Sequence, residues 1–425
     1  MKRNLLLLFL CVLPLRLLAQ TDTLVLPESP VMNLESVLDE AMMNNPEIRA
    51  AASEMQVRDA KISQAGVLPD PELKFMQEAM PGFRWNEAMY SRLMLEQMIP
   101  FPSKLGTERE AARIFAEHAH HDHLEKIDAV LGGVKSAYFE LWYIQQHLVL
   151  DNENVRLMNQ FIGIAETKYG TGSVPMQDVL KAQVEVATME NDILTMRQKE
   201  LSAKSMLMTL LNRTPKDTMG YAVIAEDVVF TLKLDSLLEV GRQQRPMLLH
   251  DSMMVEENKV MLSRAKEQYY PDFRVGIEHL YSPTDGLTSW SVAAGITLPF
   301  APWSIGKTGA GVDEANASID KSRELYTADR LMVAGNIRDL YYKADAAKKQ
   351  LDSYQRGILP RARQSLDASL TAYQNGKTDF LMLMDAYRTQ VNLTRDYFMV
   401  RMQFEQAVAG IEREIGYQYG SHSME

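Results

Sequence analysis

The sequence predicts a mixed, mainly α-helical fold in which long antiparallel coiled-coil helices carry two β-hairpins per chain. Three observations predict it: an internal repeat offset by about 200 residues, two pairs of alternating segments, and apolar spacing of three to four residues over long stretches. The composition is that of a folded chain, because 46% of the 425 residues are hydrophobic and 24% are charged.

The N-terminal residues 1–19 have the pattern of a signal peptide. A positively charged start precedes an apolar stretch that ends in Leu-Leu-Ala-Gln, so we expect cleavage after Ala19. Lipidation of Cys11, the single cysteine, is not expected because the bulky Leu10 precedes it, where a lipidation motif has a small residue. We therefore predict an exported mature chain without disulfides, beginning with an N-terminal extension at 20–33.

Composition and motifs exclude several classes of function. A formal net charge of −11 argues against nucleic-acid binding, which needs a basic face. No apolar run of about 20 residues follows the signal peptide, and the mean hydropathy is −0.22, so a bundle of membrane-spanning helices is not expected. No nucleophile triad, phosphate loop or supported pair of carboxylates occurs, so we predict that the protein is not an enzyme.

The internal repeat divides the mature chain into two copies, at 34–213 and 234–417. A segment at 214–233 joins them, and a tail at 418–425 follows. Residues that match at a nearly constant offset are Pro46 with Pro246, Ala65 with Ala265, Tyr169 with Tyr373, and Gly172 with Gly376. Each copy is therefore expected to form the same succession of elements.

Each copy contains two alternating segments, at about 71–80 and 88–99 in the first and about 272–281 and 289–299 in the second. Period two predicts strands with one apolar face, and turn-rich sequence between the segments predicts hairpins. The apolar face of the last strand would hold Trp290, Val292, Ala294, Ile296 and Leu298.

Aromatic residues gather at both ends of these predicted strands. Members of the two groups are Phe83, Trp85, Tyr90, Tyr281 and Trp290 near the hairpin turns, and Phe101, Tyr269, Tyr270, Phe300 and Trp303 at the opposite ends. Strands of about ten residues with one apolar face and aromatic girdles are typical of a transmembrane β-barrel. The alternative is the edge of a soluble β-sandwich.

Four strands cannot close a barrel alone, because small barrels need about eight or more. Open edges in lipid would leave backbone groups unpaired, so we predict a barrel shared between subunits. A dimer would supply eight strands and a trimer twelve, and the strand count does not choose between them.

The remainder of each copy is predicted as helix of unusual length. Apolar spacing from about Lys104 to Tyr169 indicates one helix about 100 Å long at ~1.5 Å per residue. Turns containing Gly172 and Gly376 then reverse the chain into the next helix. Pro360 lies within the second long helix, where we expect a kink.

Several motifs resemble the TolC family of outer-membrane efflux proteins over essentially the whole mature chain, from about Leu34 to Tyr417. They are Leu34-Glu-Ser-Val-Leu-Asp-Glu-Ala, Asn45-Pro46-Glu47, Leu68-Pro69-Asp70-Pro71, Lys168-Tyr169-Gly-Thr-Gly172, Asp178-Val-Leu-Lys-Ala-Gln183, and the stretch from Tyr373 to Ala386. The stretch from Gln97 to Gly106 is similar to the branch of the family that serves heavy-metal cation pumps.

The resemblance implies a homotrimer with a 12-stranded barrel in outer-membrane lipid and a helical tunnel across the periplasm. It implies a passive exit duct that docks with an inner-membrane pump through a periplasmic adaptor protein and conducts metal cations or small toxic compounds. Service to a type I protein secretion system is an alternative within the family. A secreted coiled-coil structural protein or adhesin is the alternative outside it.

The resemblance also marks candidate pore and tip residues, among them Tyr373 before the second-copy turn. In the family, two aspartates on the helix after the second-copy turn ring the closed entrance. Counting from Tyr373, these positions fall on Met382 and Asp385, so this chain keeps one of the two acidic positions. Asp178, at the first-copy position equivalent to Met382, would compensate, and Lys181 belongs to the same motif.

Histidines cluster at His118, His120, His121 and His123, a residue type that binds transition metals. Adjacent helical positions face different sides, however, and an exposed polar helix face accounts for the cluster. The methionines Met189 and Met196 lie on the apolar seam of a helix, where flexible packing accounts for them. We therefore predict no metal site and no cofactor.

Overall fold

A computed structural model of the protein describes residues 31–78, 88–214, 218–225, 230–283 and 285–416. The predicted signal peptide, the first hairpin turn with Phe83 and Trp85, and the C-terminal tail lie outside these residues. Within the described ranges, no helix combines the length and the apolar character needed to cross a bilayer.

The same succession of elements occurs twice, which confirms the predicted mainly helical fold with two repeats. The first repeat contains β1 (Val31–Met32), α1 (Leu34–Asn44), α2 (Pro46–Gln64), β2 (Glu72–Glu78), β3 (Tyr90–Ile99), α3 (Pro102–Gly170) and α4 (Met176–Leu210). The second contains β4 (Tyr221–Ala222), α5 (Leu234–Gln244), α6 (Pro246–Glu267), β5 (Phe273–Tyr281), β6 (Thr288–Ile296), α7 (Ile305–Ser353), a π-helical turn (Tyr354–Ile358), α8 (Leu359–Gln374) and α9 (Phe380–Glu414).

The equivalent helices α2 and α6 begin with a proline at the first helical position, where a missing N–H has no cost. Asn45 caps α2 by accepting from the N–H groups of Glu47 and Ile48, and its amide donates to the carbonyl of Leu210. Arg245 holds the same place in the second repeat, and its buried guanidinium donates to the carbonyl of Arg413. Both residues therefore join the start of one helix to the end of the last helix of their repeat.

The long helix α3 contains 69 residues and spans about 100 Å at ~1.5 Å per residue. Its counterpart in the second repeat is formed by α7, the π-helical turn and α8. The N–H of Leu359 bonds to the carbonyl of Tyr354, five residues back, so Pro360 falls in the first turn of α8, where its missing N–H is tolerated. The helical hydrogen bonding therefore changes next to the proline at which we expected a kink.

The four long strands form one antiparallel sheet in the order β2-β3-β5-β6. Leu95 of β3 lies opposite Ile277 of β5, and Ile277 lies opposite Val292 of β6. Strand β6 ends at Ile296, before the predicted end at 299. The N–H of Thr297 still donates to the carbonyl of Asp272, but Pro299 has no N–H with which to continue the pairing. Within the described residues, β2 and β6 are the edges of this sheet.

Three buried clusters hold the helices together. One joins α1 to the middle of α3 and the end of α4 around Tyr138 and Leu141. A second joins α5 and α6 to α7 and α9 around Ile337 and Leu351. The third lies toward the helical hairpin turns, around Phe161. The molecule is thus a sheet at one end, two helical hairpin turns at the other, and packed helices between.

Candidate functional site

One face of the four-stranded sheet is apolar and exposed. Side chains of this face come from all four strands, as the register requires: Leu73, Phe75, Leu93, Leu95, Val275, Ile277, Trp290, Val292 and Ile296. Val292 is 78% exposed in the single chain. A continuous exposed apolar face of this kind needs a partner or lipid to cover it.

The opposite face of the sheet carries charges that pair across strands. Lys74 bonds to Glu96 at 2.6 Å, and Arg92 bonds to Glu278 at 3.0 Å. Arg274 lies 3.7 Å from Glu96 on the same face. Such a face is too polar for hydrocarbon, so it suits a water-filled lumen and the apolar face suits lipid.

The aromatic residues beside the sheet are exposed at both ends, as the sequence predicts. Tyr281 and Trp290 lie at one end of the apolar face, and Tyr269, Tyr270, Phe300 and Trp303 lie at the other end of the sheet. Tyr90 lies at the first end but on the charged face, opposite Glu78. Aromatic rings prefer the boundary between hydrocarbon and head groups. The distance between the two aromatic groups corresponds to the length of the strands.

At the other end of the molecule, α3–α4 and α8–α9 form the two predicted helical hairpins. Gly172 has a φ of 72° and Gly376 has a φ of 68°, values in the left-handed region that glycine adopts without strain. The N–H of Gly172 donates to the carbonyl of Tyr169, and that of Gly376 donates to the carbonyl of Tyr373. Helices α3 and α8 thus each end just before a left-handed glycine, whose N–H satisfies one of the last carbonyls of the helix.

The structure places the candidate Tyr373 in the core between the hairpins. Its side chain is 1% exposed, and its ring lies 5.6 Å from that of Phe380, with the Lys168 ammonium 5.4 Å from the ring centre. Burial, together with the nearby charge of Asp178, raises the pKa of Tyr373 to about 12. Tyr373 therefore packs the two hairpins together and does not face solvent in the single chain.

Acidic residues of both hairpins approach one another beside this core. Partial burial raises the pKa of the Asp178 carboxyl, the charge of Asp379 raises it further, and the charge of Lys181 opposes the rise. Asp379 of the second repeat therefore lies near the candidates Asp178 and Lys181, which are both on α4. Together they form a small acidic group next to the turns.

Asp379 is a functional candidate that the sequence reasoning missed. Its side chain accepts from the N–H of Met382 at 3.0 Å, which caps the start of α9. An aspartate directly before an apolar helical stretch is a recognisable cap, and that signal could have found it.

Asp385 is exposed on α9, one turn before Arg388. The Arg388 guanidinium bonds to Glu185 of α4 at 3.2 Å, and that bond, with the charge of Asp385, raises the pKa of Arg388. Met382, the other position matched to the family aspartates, is exposed as well. The structure therefore brings Asp385 to the surface of the hairpin pair, beside an ion pair that links α4 to α9.

Of the four clustered histidines, His118 makes a ring contact with a histidine of another helix. The ring of His118 lies 4.1 Å from that of His250 on α6, while His120 reaches Asp59 at 3.9 Å. No local sequence motif points to His250, which lies about 130 residues from His118 in the chain.

Comparison with known proteins agrees with this geometry. The family model described as outer membrane efflux protein matches residues 37–213 and 243–417, one match in each repeat. The cobalt-zinc-cadmium resistance protein CzcC of Cupriavidus metallidurans is 23% identical over 394 residues, which cover 91% of this chain and 90% of CzcC.

Two solved structures share the fold. The outer-membrane channel OprN superimposes with a TM-score of 0.76 at 16% identity, covering 90% of this chain and 89% of OprN. CusC, studied for its folding and transmembrane channel formation, gives 0.75 at 17% identity, covering 90% and 91%.

The family match spans both repeats, so the protein is an efflux channel of the outer membrane with a long periplasmic helical portion, and not an enzyme. The resemblance drawn from the sequence motifs is confirmed. This chain belongs to the outer membrane efflux protein family, the TolC family.

Proposed function

We propose that three copies of this chain form the outer-membrane channel of a tripartite efflux system that exports divalent metal cations. The observation that carries the proposal is the four-stranded sheet, which has an apolar exposed face, a charged face and two open edges. Twelve strands from three copies would remove every edge, as a structure in lipid requires.

Closure of the barrel would pair β6 of one copy with β2 of the next. The faces are continuous across the sheet, because register places Leu73 of β2 and Val292 of β6 on the same side. Joining the two edges would therefore extend the apolar surface around the outside. The ion pairs that involve Lys74 and Arg92 would then line the water-filled interior.

The helical hairpin turns are the proposed docking end for a periplasmic adaptor protein, which would connect the channel to an inner-membrane pump. Each chain presents two turns, at Gly172 and Gly376, so a trimer would present six in two alternating kinds. Asp178 and Asp385 are the proposed pore residues of this end. Their carboxylates would attract cations where the helices converge.

Metal cations are favoured as cargo because CzcC, a protein named for resistance to cobalt, zinc and cadmium, aligns along nine tenths of this chain. The sheet supports the same choice, since its charged face carries the carboxylates of Glu72, Glu78, Glu96 and Glu278 against three cations. A lumen with excess carboxylate favours cations over anions.

A strain that lacks the gene tests the cargo directly. We expect its tolerance of Co²⁺, Zn²⁺ or Cd²⁺ to fall and to return when the gene is restored, while its tolerance of hydrophobic drugs stays unchanged. Loss of drug tolerance alone would support small toxic compounds as the cargo. Loss of a secreted protein from the medium, with normal metal tolerance, would instead support the type I secretion alternative.

A further inference from the structure

We propose that His118, Asp122 and His250 form a binding site for a divalent transition-metal ion, Zn²⁺ above all, that bridges the two repeats. One ligand atom from each of these three side chains lies within 4.8 Å of the other two. His118 and Asp122 are one turn apart on the same face of α3, and His250 reaches them from α6. The inference is independent of the proposed cargo, since it concerns a resident ion.

The site lies in the helices next to the sheet. His118 comes 16 residues after Pro102, the start of α3, which places it about 24 Å along the helix at ~1.5 Å per residue. Because α3 belongs to the first repeat and α6 to the second, an ion held here would cross-link the repeats.

Both imidazoles are already oriented by a carboxylate on one ring nitrogen. Nδ1 of His118 lies 3.2 Å from Oε2 of Glu257, and Nδ1 of His250 lies 3.0 Å from Oδ1 of Asp251. A carboxylate that accepts from Nδ1–H fixes the tautomer and leaves Nε2 as the ligand, an arrangement that recurs around zinc-bound histidines. The two rings therefore have the outer partners that a metal site needs.

The two Nε2 atoms differ in their present partners. Nε2 of His118 is buried and has no hydrogen-bond partner among the described residues, which is costly for a polar atom unless something binds it. Nε2 of His250 lies 3.1 Å from Oδ1 of Asp122. A metal ion between the two histidines would give Nε2 of His118 a partner. It would also replace the proton shared between Nε2 of His250 and the Asp122 carboxylate.

The chemistry of the donors selects the metal. Tetrahedral Zn²⁺ with bonds of about 2.0–2.1 Å sets its ligand atoms about 3.3 Å apart, so the contact between His250 and Asp122 already fits. The Asp122 side chain is 58% exposed and free to adjust, and water can reach a fourth position. Two imidazoles and one carboxylate suit Zn²⁺ or its first-row neighbours, whereas Mg²⁺ and Ca²⁺ prefer all-oxygen sites.

Zinc titration of the purified full-length protein in detergent, after chelator treatment and dialysis, tests the site. We expect one Zn²⁺ per chain at saturation. His118→Ala and His250→Ala should abolish this binding, and Asp122→Asn, at an exposed position that leaves packing intact, should weaken it at least tenfold. Glu257→Gln should also weaken it, by about 10- to 100-fold, through the loss of the carboxylate on His118.

His120→Ala is the matched control, because His120 is an exposed histidine of the same helix and should leave zinc affinity unchanged. Oligomer mass and circular dichroism, measured on every variant, separate lost binding from lost folding. Wild-type affinity in a folded Asp122→Asn variant, or no zinc retained by the wild type, would overturn the proposal. Channel conductance of the same samples reports on the proposed function separately.

Discussion

The opposite characters of the two sheet faces predict opposite outcomes for arginine at adjacent positions of β6. Val292 is the fifth of nine residues in β6 and lies opposite Ile277, the fifth of nine in β5. Both are at mid-strand on the apolar face, so an arginine at 292 would lie near the midplane of the bilayer. Ala293, on the other face, lies opposite Gly276 between the charged side chains of β5.

The magnitude follows from this depth. An arginine facing lipid near the midplane of a barrel costs about 2–4 kcal/mol, which is roughly a 30- to 700-fold loss in the folding equilibrium of each chain. Ala293→Arg would instead extend into water within reach of Glu278, and we expect a change below ~1 kcal/mol. Since both positions are exposed in the same edge strand, the pair differs in facing and in little else.

Denaturant unfolding of the two variants in phospholipid vesicles measures this difference, and heat-modifiable migration on gels reports the yield of assembled channel. We expect Val292→Arg to shift the unfolding midpoint strongly and to lower that yield, while Ala293→Arg follows the wild type. Equal destabilisation by both substitutions, or a larger effect of Ala293→Arg, would refute the assignment of the faces.

Three further predictions concern the helical hairpins and the buried ion network. Gly172→Val and Gly376→Val should each destabilise the hairpin by about 1–2 kcal/mol and impair metal tolerance, because both glycines have positive φ. The control in the same unfolding and complementation assays is Gly170→Ala, at an ordinary helical position with open space around it. Asp385→Ala should reduce cation preference and block by divalent cations in single-channel recordings without altering assembly, and unchanged selectivity would show that this side chain does not line the constriction. The buried ion network contains Asp128 of α3, whose carboxylate lies 3.6 Å from the buried guanidinium of Arg245. Burial raises the pKa of Asp128 from 3.8 to about 7, so the folded protein binds a proton that the unfolded chain has lost. Stability should therefore fall as pH rises from about 4 to 7, and Asp128→Asn should flatten that part of the profile in urea unfolding.

Most of the fold could be predicted from the periodic spacing of apolar residues. The alternation in β5 and β6 indicated which residues share a face, and register confirms it, because a strand places every second side chain on one side. The spacing in α3 indicated one long helix for the same kind of reason. Local patterns of this sort are complete within one element, so no tertiary information is needed to interpret them.

Contacts between residues of distant elements could not be predicted from the sequence. His118 was considered with its neighbours in sequence, whereas its partner His250 comes from another helix of the other repeat. Tyr373 was a pore candidate by motif, and the structure buries it because Phe380 and Lys168 cover its ring. Arg245 takes the place of the capping Asn45, a difference that the repeat alignment alone does not explain.

Native mass spectrometry of the full-length protein, released from mild detergent, tests the central claim most directly. The two open edges per chain, β2 and β6, require further copies to close a barrel, and membership of the TolC family leads us to predict a mass of three chains. A trimer would supply the twelve strands of a closed barrel. A mass of one chain would leave both edges open, and a mass of two chains would give eight strands; either result would contradict the proposed channel.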